Sequence, residues 1–310
     1  MATSDIDKSG TDRNEGRIRN AFLIAGPTAS GKSAMALALA EEKGGVIVNT
    51  DSMQTYSVLN VLTARPTEAD MKRAPHYLYG HVSPKTAYST GAWLRDVMKL
   101  MDEEVFAGKV PIFVGGTGLY FRALAEGISE MPDIPPQIRD RWRYRLTEDG
   151  PDRLHRILRR EDPDVALRLK PTDGQRIVRA LEVLEASGKS ILRWQAEKGR
   201  PLIDRASAHF FVIEPKREAL VDRIDRRFDA MLALGAMEEV RAVTALELDP
   251  ALPAMKAIGL RELQAAASGE ITLSEAIMRA KIATRQYSKR QATWFRNQLG
   301  PEWKRITTMA

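Results

Sequence analysis

The 310-residue chain contains no cysteine. A disulfide framework and a thiolate metal site are therefore both excluded, in keeping with a reducing compartment. The first twenty residues, MATSDIDKSGTDRNEGRIRN, hold no apolar stretch, so they are not a secretory signal. No later run approaches the roughly 18 apolar residues of a membrane-spanning helix, and a cytoplasmic protein with no membrane partner is expected. Residues 1–18 are too polar to bury and read as a disordered tail. Acids are scarce where bases are densest. Between 276 and 310 stand Arg279, Lys281, Arg285, Lys289, Arg290, Arg296, Lys304 and Arg305 against Glu302 alone, eight bases to one acid and hence +7, where the whole chain carries +6. Such a stretch is either a solvated helix face or a surface for a polyanion.

Apolar material is plentiful: 44% of the residues are hydrophobic, enough for a sizeable core. Short apolar runs at 21–25, 46–49 and 112–114 are spaced as buried strands, and between them 32–43 and 90–106 have helical composition. Strands alternating with helices predict an α/β fold with a parallel sheet. From about 131 to 205 no strand pattern occurs. That stretch is rich in arginine and carries helical candidates at 137–147, 151–161, 164–169, 173–187 and 191–198, so an all-helical insertion over 132–205 is expected inside a core of 19–131 and 206–310. A strand returns at 209–213. Helices follow near 217–234, 237–246, 260–267 and 273–297, with a last strand near 303–306.

Gly26, Pro27, Thr28, Ala29, Ser30, Gly31, Lys32 and Ser33 match the pattern G-x-x-x-x-G-K-[ST] at every fixed position, with an apolar strand before and a helix after. The glycines allow a tight turn whose N–H groups converge on an anion. The helix N-terminus and the Lys32 charge add to the attraction, and the Ser33 hydroxyl suits Mg²⁺. The motif predicts a bound di- or triphosphate without saying which, nor whether phosphate is transferred or leaves.

Asp51 follows the second strand and should face the same crevice, because ligands of open α/β sheets bind at the carboxyl ends of the strands. Its carboxylate is either a general base or metal partner, or the acceptor of a local Asx turn. The third strand ends in Gly115, Gly116 and Thr117, with no acid where a nucleotide-hydrolysing P-loop enzyme usually holds its metal. Thr117 offers a hydroxyl there, or caps the next helix.

Taken in order, GPTASGKS, NTDSMQTY and VGGTGLY resemble the bacterial tRNA dimethylallyltransferase family. So do the stretch from Asp173 through Gln175, Arg176, Arg179 and Glu182, the stretch Lys256, Gly259, Arg261 and Glu262, and the stretch from Thr284 through Arg285, Tyr287, Lys289, Arg290, Gln291, Trp294 and Arg296. The likeness runs from about Phe22 to Trp303. It implies a P-loop kinase-like parallel sheet flanked by helices, with the helical insertion contacting a tRNA anticodon stem-loop. It also implies transfer of a dimethylallyl group from dimethylallyl diphosphate to N6 of adenosine 37, in tRNAs that read codons beginning with U, by a monomer that uses Mg²⁺. In that reading the phosphate loop holds the departing diphosphate. Arg223 and Arg227, four apart on the helix after 209–213, either reach that diphosphate or form an ion-paired surface with Asp222 and Asp225. Asp51 is the base, and Thr117 helps hold the adenine. Ser52, Met53, Gln54, Arg139, Gln175, Arg176, Arg179, Lys256, Gly259, Arg261, Arg285, Lys289, Arg290 and Arg296 join Asp51 and Thr117 in contacting tRNA.

The chain departs from the usual pattern at Leu62, Thr63, Ala64 and Arg65, where members commonly carry Gly-Thr-Ala-Lys, and over Ala74–His81, where the family's histidine-rich stretch often carries an acid. Two other classes share parts of these features. A P-loop small-molecule or nucleotide kinase would bind ATP and phosphorylate a small acceptor. A non-catalytic RNA-binding GTPase or ATPase would have no chemistry to lose, and no guanine-reading N-K-x-D motif is present to support it.

Overall fold

The structure, a computed structural model, describes residues 16–197 and 199–307. The expected tail falls mostly outside them. Its last residue does not behave as tail: Ile18 is buried, and its N–H and carbonyl bond Leu202 O and Asp204 N at 2.8 and 2.9 Å. An isoleucine able to pair with a neighbouring strand-like segment gains more by burial than by solvation.

The elements run β1 (Phe22–Ala25), α1 (Lys32–Lys43), β2 (Gly45–Asn49), α2 (Glu68–Arg73), β3 (His76–Tyr77), α3 (Thr90–Asp102), β4 (Val110–Gly115), α4 (Gly118–Glu126), α5 (Pro136–Glu161), α6 (Pro163–Ala166), α7 (Gly174–Ser187), α8 (Ile191–Ala196), β5 (His209–Ile213), α9 (Arg217–Ala233), α10 (Ala236–Thr244), α11 (Leu260–Ala267), α12 (Leu273–Gln298) and β6 (Lys304–Ile306). The six strands form one sheet in the order β3-β2-β4-β1-β5-β6, and every pairing is parallel. Period-two alternation sorts the strand residues onto two faces. Ile24, Ile47, Ile112, Val114 and Ile213 pack with Ala36, Leu37 and Ala40 of α1 in one buried cluster. Leu23 and Phe113, one residue out of step with these, are also fully buried. The absence of polar alternation in β1, β2 and β4 follows from this: a parallel strand covered on both faces is apolar throughout.

The chain divides into two compact units, one running through Ala125 and resuming at Pro201, the other Glu126–Arg200. The second is all helical and begins about six residues earlier than composition suggested. In it α5 carries a kink at Gly150 (φ 73°, ψ 166°) before Pro151, which accounts for two separate helical patterns at 137–147 and 151–161. Its core joins Trp142, Leu154 and Leu158 of α5 to Ile177, Val178 and Leu181 of α7. Among the described residues no helix is long and apolar enough to cross a membrane.

Candidate active site

Because β1, β4 and β2 are neighbours in the sheet, the loops that leave their carboxyl ends lie side by side. The first, Gly26–Ser33, wraps the N-terminus of α1. Gly31 has φ 96° and Ala29 φ 64°, left-handed conformations that turn successive N–H groups inward. Gly26 has no room for a side chain, since a Cβ would lie 2.6 Å from Ser30 Oγ. That hydroxyl is itself buried without a hydrogen-bond partner. Lys32 folds back over the loop and donates to Pro27 O at 3.2 Å. Burial pushes its ammonium down to about 8, with Asp51 opposing the shift and Arg227 adding to it. Ser33 is exposed at the first turn of α1.

The second loop, after β2, presents Asp51. Asn49 braces it from below: its side chain accepts from Asp51 N at 2.8 Å and donates to Asp51 O at 2.9 Å, while the Asn49 carbonyl accepts from buried Trp93 Nε1 at 2.9 Å. Asp51 Oδ1 accepts from Met53 N at 3.0 Å, so one oxygen does make the Asx turn. No hydrogen bond engages Oδ2 among the described residues. The carboxylate thus makes the local turn through one oxygen and leaves the other without a hydrogen bond among the described residues. Its charge reaches far: after burial, it is the next cause holding the phenols of Tyr79, Tyr120 and Tyr287 above their ordinary range.

The third loop, after β4, carries Thr117, whose Oγ1 accepts from Ser52 N at 2.9 Å and donates to Ser52 Oγ at 3.3 Å. It ties the β4 loop to the β2 loop. The glycines before it are steric requirements, because a Cβ on Gly115 would stand 2.2 Å from the Thr50 backbone. Behind the next glycine, Gly118, lies the ring of Trp294 from α12, only 2.1 Å from where a Cβ would be.

Basic side chains from α9 close the site. Arg223 Nη1 donates to Ser30 O in the phosphate loop at 3.3 Å. Arg227 lies close enough to Lys32 and Asp51 to interact with both, and burial lowers its guanidinium. Neither arginine forms an ion pair with Asp222 or Asp225. Asp225 is taken instead by Arg285, through Nε at 3.1 Å and a second, shorter contact from Nη2.

Beside the phosphate loop and Asp51 opens a cavity of about 280 Å³. Thr28, Asp51, Arg227, Lys256, Tyr287 and Arg290 make its polar side, and Met53, Leu62, Ile224, Phe228, Met231 and Ile258 its apolar side. The hydroxyls of Thr63 and Thr284, also in the wall, donate to Leu59 O and Ala280 O at 2.7 and 2.8 Å. Gln54 works behind the wall, donating to Thr63 O and Ala64 O. Gly259, at φ 93°, leaves space for Phe228 and Leu62, to which a Cβ would come within 3.1 and 3.4 Å. Arg261 is exposed and donates to Pro250 O.

Arg290 lies over the Tyr287 ring at 5.7 Å, while Lys289 and Arg296 are exposed without ion pairs among the described residues. Within the helical unit, Arg176 and Arg179 pair with Asp173 and Glu182, Gln175 is exposed, and Arg139 is half-buried. The four-residue spacing of Arg223 and Arg227 offered this pair together, and both approach the Gly26–Ser33 loop.

Among the described residues no group of three or more His, Asp or Glu side chains could cage a metal ion. The donor set suits a hard cation held mainly by a bound diphosphate, with one protein hydroxyl, Ser33, at its edge. Mg²⁺ is commonly held in this way, by substrate phosphates, water and few protein ligands.

Residues 54–298 match the family model described as IPP transferase, and residues 19–80 that described as isopentenyl transferase. The chain is 72% identical to the tRNA dimethylallyltransferase of Mesorhizobium japonicum over 98% of its own length and 94% of the relative's. Among solved structures, the tRNA isopentenylpyrophosphate transferase of Bacillus halodurans superimposes with a TM-score of 0.65 at 29% identity, covering 94% of this chain and 90% of that one. A eukaryotic dimethylallyltransferase acting on tRNA superimposes with a TM-score of 0.77 at 28% identity, covering 91% and 71%.

Proposed function

This chain belongs to the IPP transferase family, and from that premise we propose that it transfers a dimethylallyl group from dimethylallyl diphosphate to N6 of adenosine 37 in tRNA, releasing diphosphate. The observation that carries the reading is one half-apolar cavity flanked by an anion cradle and a carboxylate with a free oxygen. The phosphate-loop N–H groups and Lys32 bind the diphosphate, with Arg223 and Arg227 at its side. The five-carbon chain lies against Met53, Leu62, Phe228 and Met231.

In the transfer, N6 forms a bond to C1 of the dimethylallyl group as the C1–O bond breaks. The electron pair leaves on diphosphate, and the N6 proton passes to Asp51 Oδ2. Charge that grows on the leaving oxygen meets donors already in place, which lowers the barrier without reorganisation. Mg²⁺ held through Ser33 supplies further neutralisation of the diphosphate when bound. Thr117, fixed to Ser52, holds the adenine edge. The target base has to leave the anticodon-loop stack, at a cost of a few kcal/mol. Phosphate contacts from Lys256, Lys289, Arg290 and Arg296, and from Arg139, Gln175, Arg176 and Arg179 in the helical unit, offset that cost.

Mass spectrometry of tRNA incubated with the protein, dimethylallyl diphosphate and Mg²⁺ tests the assignment. One C5 adduct on a single adenosine is expected. Phosphate transfer from ATP to a small acceptor, with no adduct, would return the protein to the kinase class.

Two further results are expected. Dimethylallyl diphosphate binding needs Lys32 protonated, so kcat/KM for the donor should be level at neutral pH and fall by about tenfold per unit as pH rises past about 8. A profile flat through that range would mean the ammonium does not meet the diphosphate. Lys289→Ala should flatten the dependence of log tRNA affinity on log salt by about one unit. Arg285→Ala should do less, because Asp225 already neutralises that guanidinium. An unchanged slope for Lys289→Ala would mean its charge only coats the surface.

A further inference from the structure

Helix α12 delivers one buried amide to the junction of two of the site's loops. Gln291 is buried, and both ends of its side chain are committed. Oε1 accepts from Thr28 N at 2.9 Å, and Nε2 donates to Gly116 O at 3.0 Å. Thr28 presents only an N–H at that point and Gly116 only a carbonyl, so a single orientation of the amide satisfies both. Thr28 belongs to the phosphate loop after β1. Gly116 directly precedes Thr117 in the loop after β4, and Asp51 Oδ2 lies 3.2 Å from where a Cβ on residue 116 would stand. The side chain therefore ties the half of the site that holds the anion to the half that holds the base. The backbone bond across the same gap from Gly26 N to Gly115 O is long at 3.3 Å. Residue 116 must lack a side chain for the tie to exist, because its Cβ would stand 2.2 Å from Gln291 Nε2.

We propose that Gln291 is a positioning residue that sets the separation between the diphosphate cradle and the Asp51–Thr117 edge, and with it the distance over which N6 attacks C1. The inference rests on the transfer reading above. In that reaction the electrophile is anchored to one loop and the nucleophile is presented by another, so the rate depends on the register between them. A misplacement of about 1 Å can cost on the order of 10²-fold in rate. Only an amide carries a donor and an acceptor at this spacing. Glutamate has the same shape but, as a carboxylate, turns an acceptor toward the Gly116 carbonyl, and alanine leaves both backbone groups unpaired.

The test compares Gln291→Ala and Gln291→Glu with the wild type. The measurements are single-turnover transfer to tRNA, release of dimethylallyl alcohol by hydrolysis of the donor, and calorimetric affinity for pyrophosphate and for tRNA. Circular dichroism checks folding, and Gln291→Glu, isosteric and still able to accept from Thr28 N, serves if the alanine variant does not fold. The expected signature is a rate of transfer lower by roughly 30- to 100-fold, both affinities within about threefold, and a larger share of donor lost to water. A folded variant with normal transfer overturns the proposal. So does a loss of rate matched by an equal loss of pyrophosphate affinity, which would make Gln291 part of the anion site. A wild type that yields no adduct would sink the transfer reading instead, and the pyrophosphate affinities stand independently of it.

Discussion

Asp51→Asn is expected to lower prenyl transfer by about 10²- to 10⁴-fold, the usual worth of a positioned general base, with tRNA affinity within a few-fold of wild type. Asparagine suits the test better than alanine. It preserves an acceptor for Met53 N, so the turn that shapes the loop survives. The loss is then confined to the charge and basicity of Oδ2. One side effect needs control. Asp51 opposes the burial that lowers the Lys32 ammonium, so its removal lets Lys32 fall further below about 8. Rates should therefore be compared across pH from neutral downward, where Lys32 keeps its proton. A deficit that persists at low pH assigns the proton transfer to Asp51. A deficit erased by acidification would show that Asp51 serves only to keep Lys32 charged, and normal turnover throughout would remove it from the chemistry.

Lys32→Ala is expected to reduce kcat/KM for dimethylallyl diphosphate by about 10²- to 10³-fold, the scale of losing one preorganised donor to a developing anion. The lysine is a full charge within the loop itself, donating to Pro27 O, and it is already partly withdrawn from water in the free protein. Its attraction for diphosphate is thus less screened than that of a surface base. How the loss divides is informative. A fall in kcat means the ammonium acts mainly on the leaving charge of the transition state, and a rise in KM alone means it binds ground and transition states equally. Arg223 and Arg227 remain beside the loop, so residual activity is expected. Lys32→Arg should not rescue, because a planar guanidinium cannot replace a compact ammonium folded against Pro27 O. Activity within threefold of wild type in Lys32→Ala would remove Lys32 from the reaction.

Much of the architecture is legible in the sequence. The bounds of α1 and β5 agree with the apolar patterns to the residue, because both are bracketed by glycine or a change of period. The short elements α2 and β3 were not legible. Helix α2 is six residues long and buries none of them; it is held by the Thr67–Asp70 capping box rather than by an apolar face. Strand β3 has two residues and no period to detect. The phosphate loop was legible because its chemistry lies in consecutive backbone N–H groups. The basic stretch at the C-terminus was legible only as charge. That Arg285 spends its charge on Asp225, sixty positions away, is written in no local pattern.

By itself the sequence determined the glycine-rich loop between β1 and α1, the parallel α/β alternation and the presence of a helical stretch between β4 and β5, since each depends on residues adjacent in the chain or repeating at a fixed period. Only the tertiary structure decided which carboxylate oxygen is left free, which arginines face the cradle, and that one amide 263 positions from Thr28 and 175 from Gly116 joins the two halves of the site. Those outcomes follow from how β1, β2 and β4 lie side by side and how α9 and α12 pack over their ends. Hydrogen-bond partners so far apart in the chain are selected by packing, which leaves no periodic trace in the order of the residues.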